Sequence, residues 1–256
     1  MILRDLHTHT TFCDGKDTPE DMVLAAIEKG MDTLGFSMHS FVEFDLDVYS
    51  DPTALVEYKK EVERLKEKYK DKIKILCGIE QDIYKEPDSE SFDYIIGSVH
   101  YAKIGDEYIP LDLSKEGLLD AVNRGFGGDF YSFAEWYYDM EAKVVEVTGA
   151  DIIGHLDLIS KFNEDGSIFD EKHPRYVAAY TKAVKELVKY NKPFEINTGA
   201  ISRGYRSSPY PCEGILRCIY ENGGRVLLSS DSHRKDTLCF EFEKWADLAR
   251  KIGFDV

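Results

Sequence analysis

The chain has 256 residues, a length suited to one α/β barrel spanning 1–256, with no Pro- or Ser-rich linker, no internal repeat and only short charge clusters of mixed sign. Its 48 acidic residues against 32 basic ones give a formal net charge of −16, and so acidic a body repels a polyanion, which excludes nucleic acid as an expected partner. No apolar run reaches membrane-spanning length, no secretory-signal pattern precedes the first motif, and the five cysteines form no CxxC pair, so a reduced, cytoplasmic protein without a membrane partner is expected.

The first predicted strand, "ILRDLH" (2–7), ends on two of the seven histidines, His7 and His9. Residues i and i+2 of an extended segment face the same way, so this pair aims at one point. Asp14 follows in "CDG", where an acid reads either as a metal ligand or as a turn residue, and Cys13 beside it reads as a free thiol. "TPEDMVLAAIEKG" predicts a helix with a Thr cap, Pro at the first helical position, acids in the first turn and Gly30 at the stop. The second strand, 32–37, leads to His39 and to the acidic loop "FVEFDLD", which carries Glu43, Asp45 and Asp47. A helix over 52–70, with opposite charges paired along its solvated face, precedes the third strand, 72–78, and Glu80.

The fourth strand, 93–99, is followed by His100. A helical pattern over 130–147 comes before the fifth strand, 150–155, which ends on His155; Asp157 is expected to orient a ligand by a hydrogen bond, and Lys161 lies beyond it. His173 has no strand behind it and is expected on the surface. After a helix over 174–190 comes the sixth strand, 193–197, then a Gly/Ser-rich loop bearing Arg203, Tyr205, Arg206 and Tyr210. A helix over 211–222 precedes the seventh strand, 225–230, which runs into Asp231 and His233, and a helix over 239–251 closes the pattern.

About seven β/α units in this order imply parallel strands joined by right-handed crossovers, with functional groups where strands end. Six of the seven predicted strands deliver a histidine or carboxylate at that end. Neutral imidazoles mixed with carboxylates suit Zn, Mn or Fe, so the early histidine pair reads as half of a metal pincer.

The ordered motifs "DLHTHT…DG", "GFSMHS", "GIE", "GSVH", "GHLDLI" and "SSDSH" resemble the polymerase-and-histidinol-phosphatase (PHP) superfamily over nearly the whole chain. "EINTGAISRGYRSSPYP" and "GHLDLISKFNEDG" are similar to its histidinol-phosphate phosphatases. The resemblance implies a distorted (β/α)7 TIM-like barrel of the PHP type, with three divalent metal ions at the C-terminal ends of its strands. Carried over motif by motif, it implies that His7, His9, Glu80 and Asp231 hold a first metal. Glu80 would bridge to a second, held also by His100 and His155, and His39 and His233 would hold a third. Asp14 stands where the family alternates between histidine and aspartate. Family members commonly have Asp just before the second-strand histidine; Met38 stands here instead, which implies a weaker third metal position.

The implied activity is hydrolysis of a small-molecule phosphate monoester, L-histidinol phosphate, to L-histidinol and phosphate in histidine biosynthesis, by metal-activated hydroxide attacking phosphorus. Arg203 and Arg206 are candidate phosphate forks that act catalytically with Asp231 and His233, and Lys161 is a further phosphate contact. Glu43, Asp45 or Asp47 would recognise the amine, while Tyr205 and Tyr210 would pack on the imidazole. The proton for the leaving alkoxide comes either from Asp231 or from a metal-bound water. Three other readings stay open. A PHP-type phosphoesterase could act on another phosphomonoester, nucleotide or oligonucleotide. An amidohydrolase-type enzyme would want a bridging lysine where Glu80 stands. A non-catalytic binding module would not need so complete a ligand set.

Overall fold

The computed structural model describes residues 3–45, 53–85 and 92–256. Seven parallel strands form one sheet: β1 (Arg4–Asp5), β2 (Thr33–His39), β3 (Lys74–Asp82), β4 (Tyr94–Ser98), β7 (Ile152–Ile153), β8 (Pro193–Asn197) and β9 (Arg225–Ser229), hydrogen-bonded in that order. An isolated parallel bridge between Thr8 and Ser232 brings the last strand back to the first, so the sheet is a nearly closed barrel. Its distortion lies in β1 and β7, each only two residues long. The extra strands β5 (Tyr101–Ile104) and β6 (Glu107–Pro110) form an antiparallel hairpin turned by Gly105 and Asp106.

Helices α1 (Pro19–Glu28), α2 (Ala54–Tyr69), α3 (Lys115–Phe126), α4 (Phe130–Glu141), α5 (Val144–Thr148), α6 (Pro174–Leu187), α7 (Gly199–Ser202), α8 (Glu213–Glu221) and α9 (Phe242–Ile252) accompany the strands. Among the described residues no helix is long and apolar enough to cross a membrane. Thr18 caps α1 by accepting from the Asp21 amide, as its sequence predicts. The helix predicted over 130–147 is two helices; the break comes at Ala142–Lys143, ahead of the β-branched run Val144, Val145, Val147 and Thr148, which disfavours straight continuation. The hairpin and α3 fall outside the simple β/α alternation and are not predicted.

Strand alternation decides what faces the site. In β2, Leu34, Phe36 and Met38 turn outward and bury with Met22 and Val23 of α1 and Tyr58, Val62 and Leu65 of α2, leaving Gly35, Ser37 and His39 on the other face. Each such fully buried apolar side chain contributes about 1.5–3 kcal/mol. A larger core of the same kind joins Phe194 and Ile196 of β8 to Tyr137 and Tyr138 of α4 and Tyr176 and Leu187 of α6. Tyr94 crosses the barrel interior, its hydroxyl donating to Leu6 O (2.6 Å) and Phe36 O (2.9 Å). A Cβ at Gly78 would lie 2.3 Å from the Tyr94 ring, so only glycine permits that crossing.

Candidate metal centre

Nine ligand-type side chains converge at the C-terminal ends of the strands, with Glu80 in their middle. Parallel register sets His39 of β2 directly beside Glu80 of β3. One Glu80 oxygen, Oε2, faces His7 Nε2 (3.1 Å), His9 Nε2 (3.5 Å) and His39 Nδ1 (3.0 Å). The other, Oε1, faces His100 Nε2 (3.2 Å) and His155 Nε2 (3.0 Å) and accepts from the Ser98 hydroxyl (2.7 Å). Asp231 Oδ1 lies 3.3 Å from His9 Nε2 and 3.7 Å from His7 Nε2. Asp14 reaches His233 Nε2 at 2.9 Å and His39 Nε2 at 3.5 Å.

These contacts form three overlapping groups whose donor atoms lie within 4.8 Å of one another: His9, Asp14, His39 and His233; His7, His9 and Glu80; and His39, Glu80 and His100. The overlap differs from the division implied by the resemblance, because His9 and His39 each belong to two groups. His7 Nε2, His9 Nε2, Asp14 Oδ1 and Glu80 Oε2 are buried without a hydrogen-bond partner among the described residues. Unpaired polar atoms are costly to bury, and a divalent cation satisfies lone pairs gathered like these, so the donor set fits a metal cluster.

Neighbouring acids orient the rings. Glu195 on β8 accepts from His7 Nδ1 (2.7 Å), the His155 amide (3.1 Å) and Asn197 Nδ2 (3.2 Å). The contact on Nδ1 fixes the His7 ring and turns its Nε2 toward the cluster. Asp82 does the same for His100, accepting from its Nδ1 and its amide, both at 3.1 Å. The Cys13 thiol lies 3.5 Å from His9 Nδ1, and burial together with the Asp14 charge pushes it up to about 12. Asp231 has φ +49°, a conformation that a non-glycine residue adopts at a cost, typical of residues fixed for function.

Charge balance explains the titration shifts. Burial opposes ionisation throughout, yet His7 is raised well above its ordinary value by Glu195, Glu80 and Asp231, and His100 by Glu80 and Asp82. Glu80 is held well below the carboxylate range by His7, His100 and His39, and Asp231 by Arg203 and His7. Burial and the neighbouring His39 and His233 lower His9 to about 3, so it stays neutral and free to bind metal.

A cavity of about 560 Å³ opens over the cluster, and its lining also includes Asp45, Tyr101, Asp112, Lys161, Arg203 and Tyr205. Arg203 donates to Asp231 Oδ2 (3.0 Å) and Asp231 O (2.9 Å) beside His233 Nδ1 (3.0 Å). A Cβ at Gly199 would lie 2.8 Å from Arg203 Nη2 and 2.9 Å from Asp231 Oδ2, so glycine there lets the pair close. Lys161 and Tyr205 meet with the Lys161 ammonium 4.8 Å from the ring centroid. Asp45 accepts from the Tyr101 hydroxyl at 2.7 Å.

Other sequence candidates stand elsewhere. Arg206 is buried away from the cavity lining, donating to Ser160 O (2.6 Å), Glu171 Oε1 (3.1 Å) and Ser208 Oγ (3.2 Å), a bracing position in place of the expected phosphate fork. Glu43 is exposed and outside the lining, and Asp47 lies outside the described residues. Tyr210 is wholly buried in the main core, outside the cavity lining, with its ring edge-on to His155 at 6.2 Å. Asp157 accepts from the Cys212 amide (3.0 Å) and so holds a loop where a ligand-orienting role was expected; burial raises it to about 6 despite Arg206. His173 caps α6, half-buried and stacked on Tyr131 at 3.8 Å. Met38 faces the apolar cluster, so it contributes no hydrogen bond to the centre.

Sequence reading missed Glu195, Asp82 and Asp112. For Asp82 the signal was an acid two residues past Glu80 on the same strand face, and for Glu195 an acid in the middle of a short apolar strand. Asp112 follows the unpredicted hairpin.

The chain matches the model of the PHP domain over residues 5–199. It is 30% identical over 252 residues to the Schizosaccharomyces pombe protein named "Probable histidinol-phosphatase", covering 89% of this chain and 79% of that protein. It is 27% identical to the Lactococcus lactis histidinol-phosphatase, over 98% of this chain and 91% of that one. The crystal structure of histidinol phosphate phosphatase from Lactococcus lactis, complexed with Zn, L-histidinol and phosphate, superposes with TM-score 0.75 at 25% identity, covering 99% and 95% of the two chains. The HisK structure from Listeria monocytogenes superposes with TM-score 0.80 at 23% identity, over 94% and 99%.

Proposed function

The chain belongs to the PHP domain family, and we propose that it is a metal-dependent phosphomonoesterase that hydrolyses L-histidinol phosphate to L-histidinol and phosphate, as the Lactococcus relative's name describes for that protein. The observation that carries the reading is Glu80, whose two buried oxygens face five histidines while Asp231 and Asp14 close the ring around them. His7, His9, Asp14, His39, Glu80, His100, His155, Asp231 and His233 would hold the metal, read as three divalent ions drawn from Zn, Mn or Fe. Such ions make water acidic enough to ionise near neutral pH and offset the charge of the phosphoryl group.

The chain's own groups do the rest. Glu195 and Asp82 hold the rings of His7 and His100 by Nδ1, so that Nε2 of each is aimed inward at the centre. Arg203, poised at Asp231 and open to the cavity, binds phosphoryl oxygens and stabilises their charge as the ester bond breaks, with Lys161 as a second cation on the same wall. Asp231 is held well below the usual carboxylate range by Arg203 and His7, so it carries no proton of its own for the departing alkoxide, which leaves a water at the centre to supply it. Asp45 and Tyr205 also line the cavity, where the imidazole of the alcohol portion fits. The acidic body is a poor host for oligonucleotides, which favours a small substrate.

A phosphate-release screen tests this reading. Chelator-stripped protein is reconstituted separately with Zn, Mn and Fe and offered histidinol phosphate, simple alkyl phosphates, nucleotides and single-stranded DNA. Preference for histidinol phosphate is expected; preference for nucleotides or DNA overturns the substrate assignment.

A further inference from the structure

Lys161 and Asp112 form an ion pair in the lining of the cavity. The Lys161 ammonium, almost wholly buried, donates to the Asp112 carbonyl at 2.6 Å and to its carboxylate Oδ2 at 3.2 Å. The carboxylate is about one-third exposed and lines the same cavity as Glu80, His100, His155 and Arg203. Asp112 is fixed relative to the centre because the adjacent Leu111 amide donates to His100 O at 2.8 Å. Lys161 therefore has two anchors of different kinds: a backbone carbonyl and a carboxylate that an incoming anion can replace.

We propose that this ion pair is a divided receptor for a zwitterionic phosphomonoester, Lys161 turning from the Asp112 carboxylate to the phosphate while that carboxylate receives the substrate's ammonium. The inference rests on the phosphomonoesterase reading and deepens it by assigning a charge requirement to the substrate. A phosphate dianion alone would draw Lys161 away and leave Asp112 half-buried, unpaired and beside a like charge, which is costly. A substrate that brings its own ammonium restores the balance. The Asp112–Lys161 pair thus selects phosphoesters that carry an amine and rejects those that lack one.

The test measures kcat/KM on two matched pairs with fully metallated protein: L-histidinol phosphate against its des-amino analogue, and O-phosphoethanolamine against ethyl phosphate. The wild type is expected to prefer the amine-bearing member by roughly 10- to 100-fold, the range of a hydrogen bond to a charged group. Asp112→Asn is expected to bring the ratio near unity, by loss on the amine-bearing member and gain on the amine-free one. An indifferent wild type overturns the proposal without needing any variant to fold, and so does an Asp112→Asn protein that loses both members of a pair equally. If histidinol phosphate is not turned over while phosphoethanolamine is, the substrate assignment falls and the Asp112 ratio is still read from the second pair. Hydrolysis of none of the four overturns both.

Discussion

Replacing Glu195 by Gln isolates the charge that orients His7. The carboxylate is buried and accepts three hydrogen bonds, from His7 Nδ1 at 2.7 Å, the His155 amide at 3.1 Å and Asn197 Nδ2 at 3.2 Å. Glutamine has nearly the same shape but only one acceptor oxygen. If that oxygen stays on His7, the new NH2 group meets two donors; if it turns to them, the NH2 faces Nδ1, and His7 must move its proton to Nε2, the atom that faces Glu80 and Asp231. In the first case two donors lose their acceptor and in the second the His7 ring takes the tautomer that cannot offer Nε2 to a metal; each lost hydrogen bond to a charged group costs about 1.5–3 kcal/mol. That corresponds to roughly 10- to 100-fold weaker metal binding, the usual effect of removing such an orienting acid. Competition with a chromophoric chelator reads the Zn dissociation constant, and circular dichroism checks the fold. Glu195→Gln with unaltered Zn affinity and a native fold would refute the orientation argument.

Arg203→Ala should lower kcat/KM for phosphate esters by about 100- to 1000-fold, the effect of deleting one transition-state donor, with unchanged metal stoichiometry at saturating Zn; lost equivalents would instead make Arg203 a prop for Asp231. Arg206→Ala should leave KM nearly as it was and lower the unfolding free energy by about 3 kcal/mol, read from the urea midpoint, since it breaks a buried charged network with Ser160 O and Glu171; a large rise in KM would return Arg206 to the substrate. His7 and His100 have raised values in the folded chain, so their contribution to metal-free stability is complete below about pH 6.5, the unfolded value, and fades as pH rises through the folded ones. Metal requires both rings neutral, so the rise in Tm on adding Zn should grow between about pH 6 and pH 8 and be accompanied by proton release in calorimetry; a gain independent of pH would contradict the shifts.

The convergence of these side chains is legible in the sequence because a barrel converts strand ends into a ring. His7, His39, Glu80, His100, His155 and Asp231 each stand at or just beyond a run of β-branched or apolar residues, and parallel order alone brings them together. What escaped falls into two physical classes. Glu195 and Asp82 are strand residues whose role depends on which face is buried, something a five-residue run such as "PFEIN" does not fix until helices cover its other side. Asp112 depends on the β5–β6 hairpin, although Gly105–Asp106 between "YAKI" and "EYIP" carries a two-residue turn signal. Arg206 lies elsewhere than a loop arginine read as a phosphate fork would: three residues on from Arg203 the chain has turned it inward against Ser160 and Glu171, outside the cavity lining.

The most direct measurement titrates chelator-stripped protein with Zn, following in the same samples the equivalents bound and the phosphate released from L-histidinol phosphate. Turnover should be absent without metal and should rise in step with the filling of the centre. Hydrolysis by the stripped protein, or a filled centre that releases no phosphate, would contradict it.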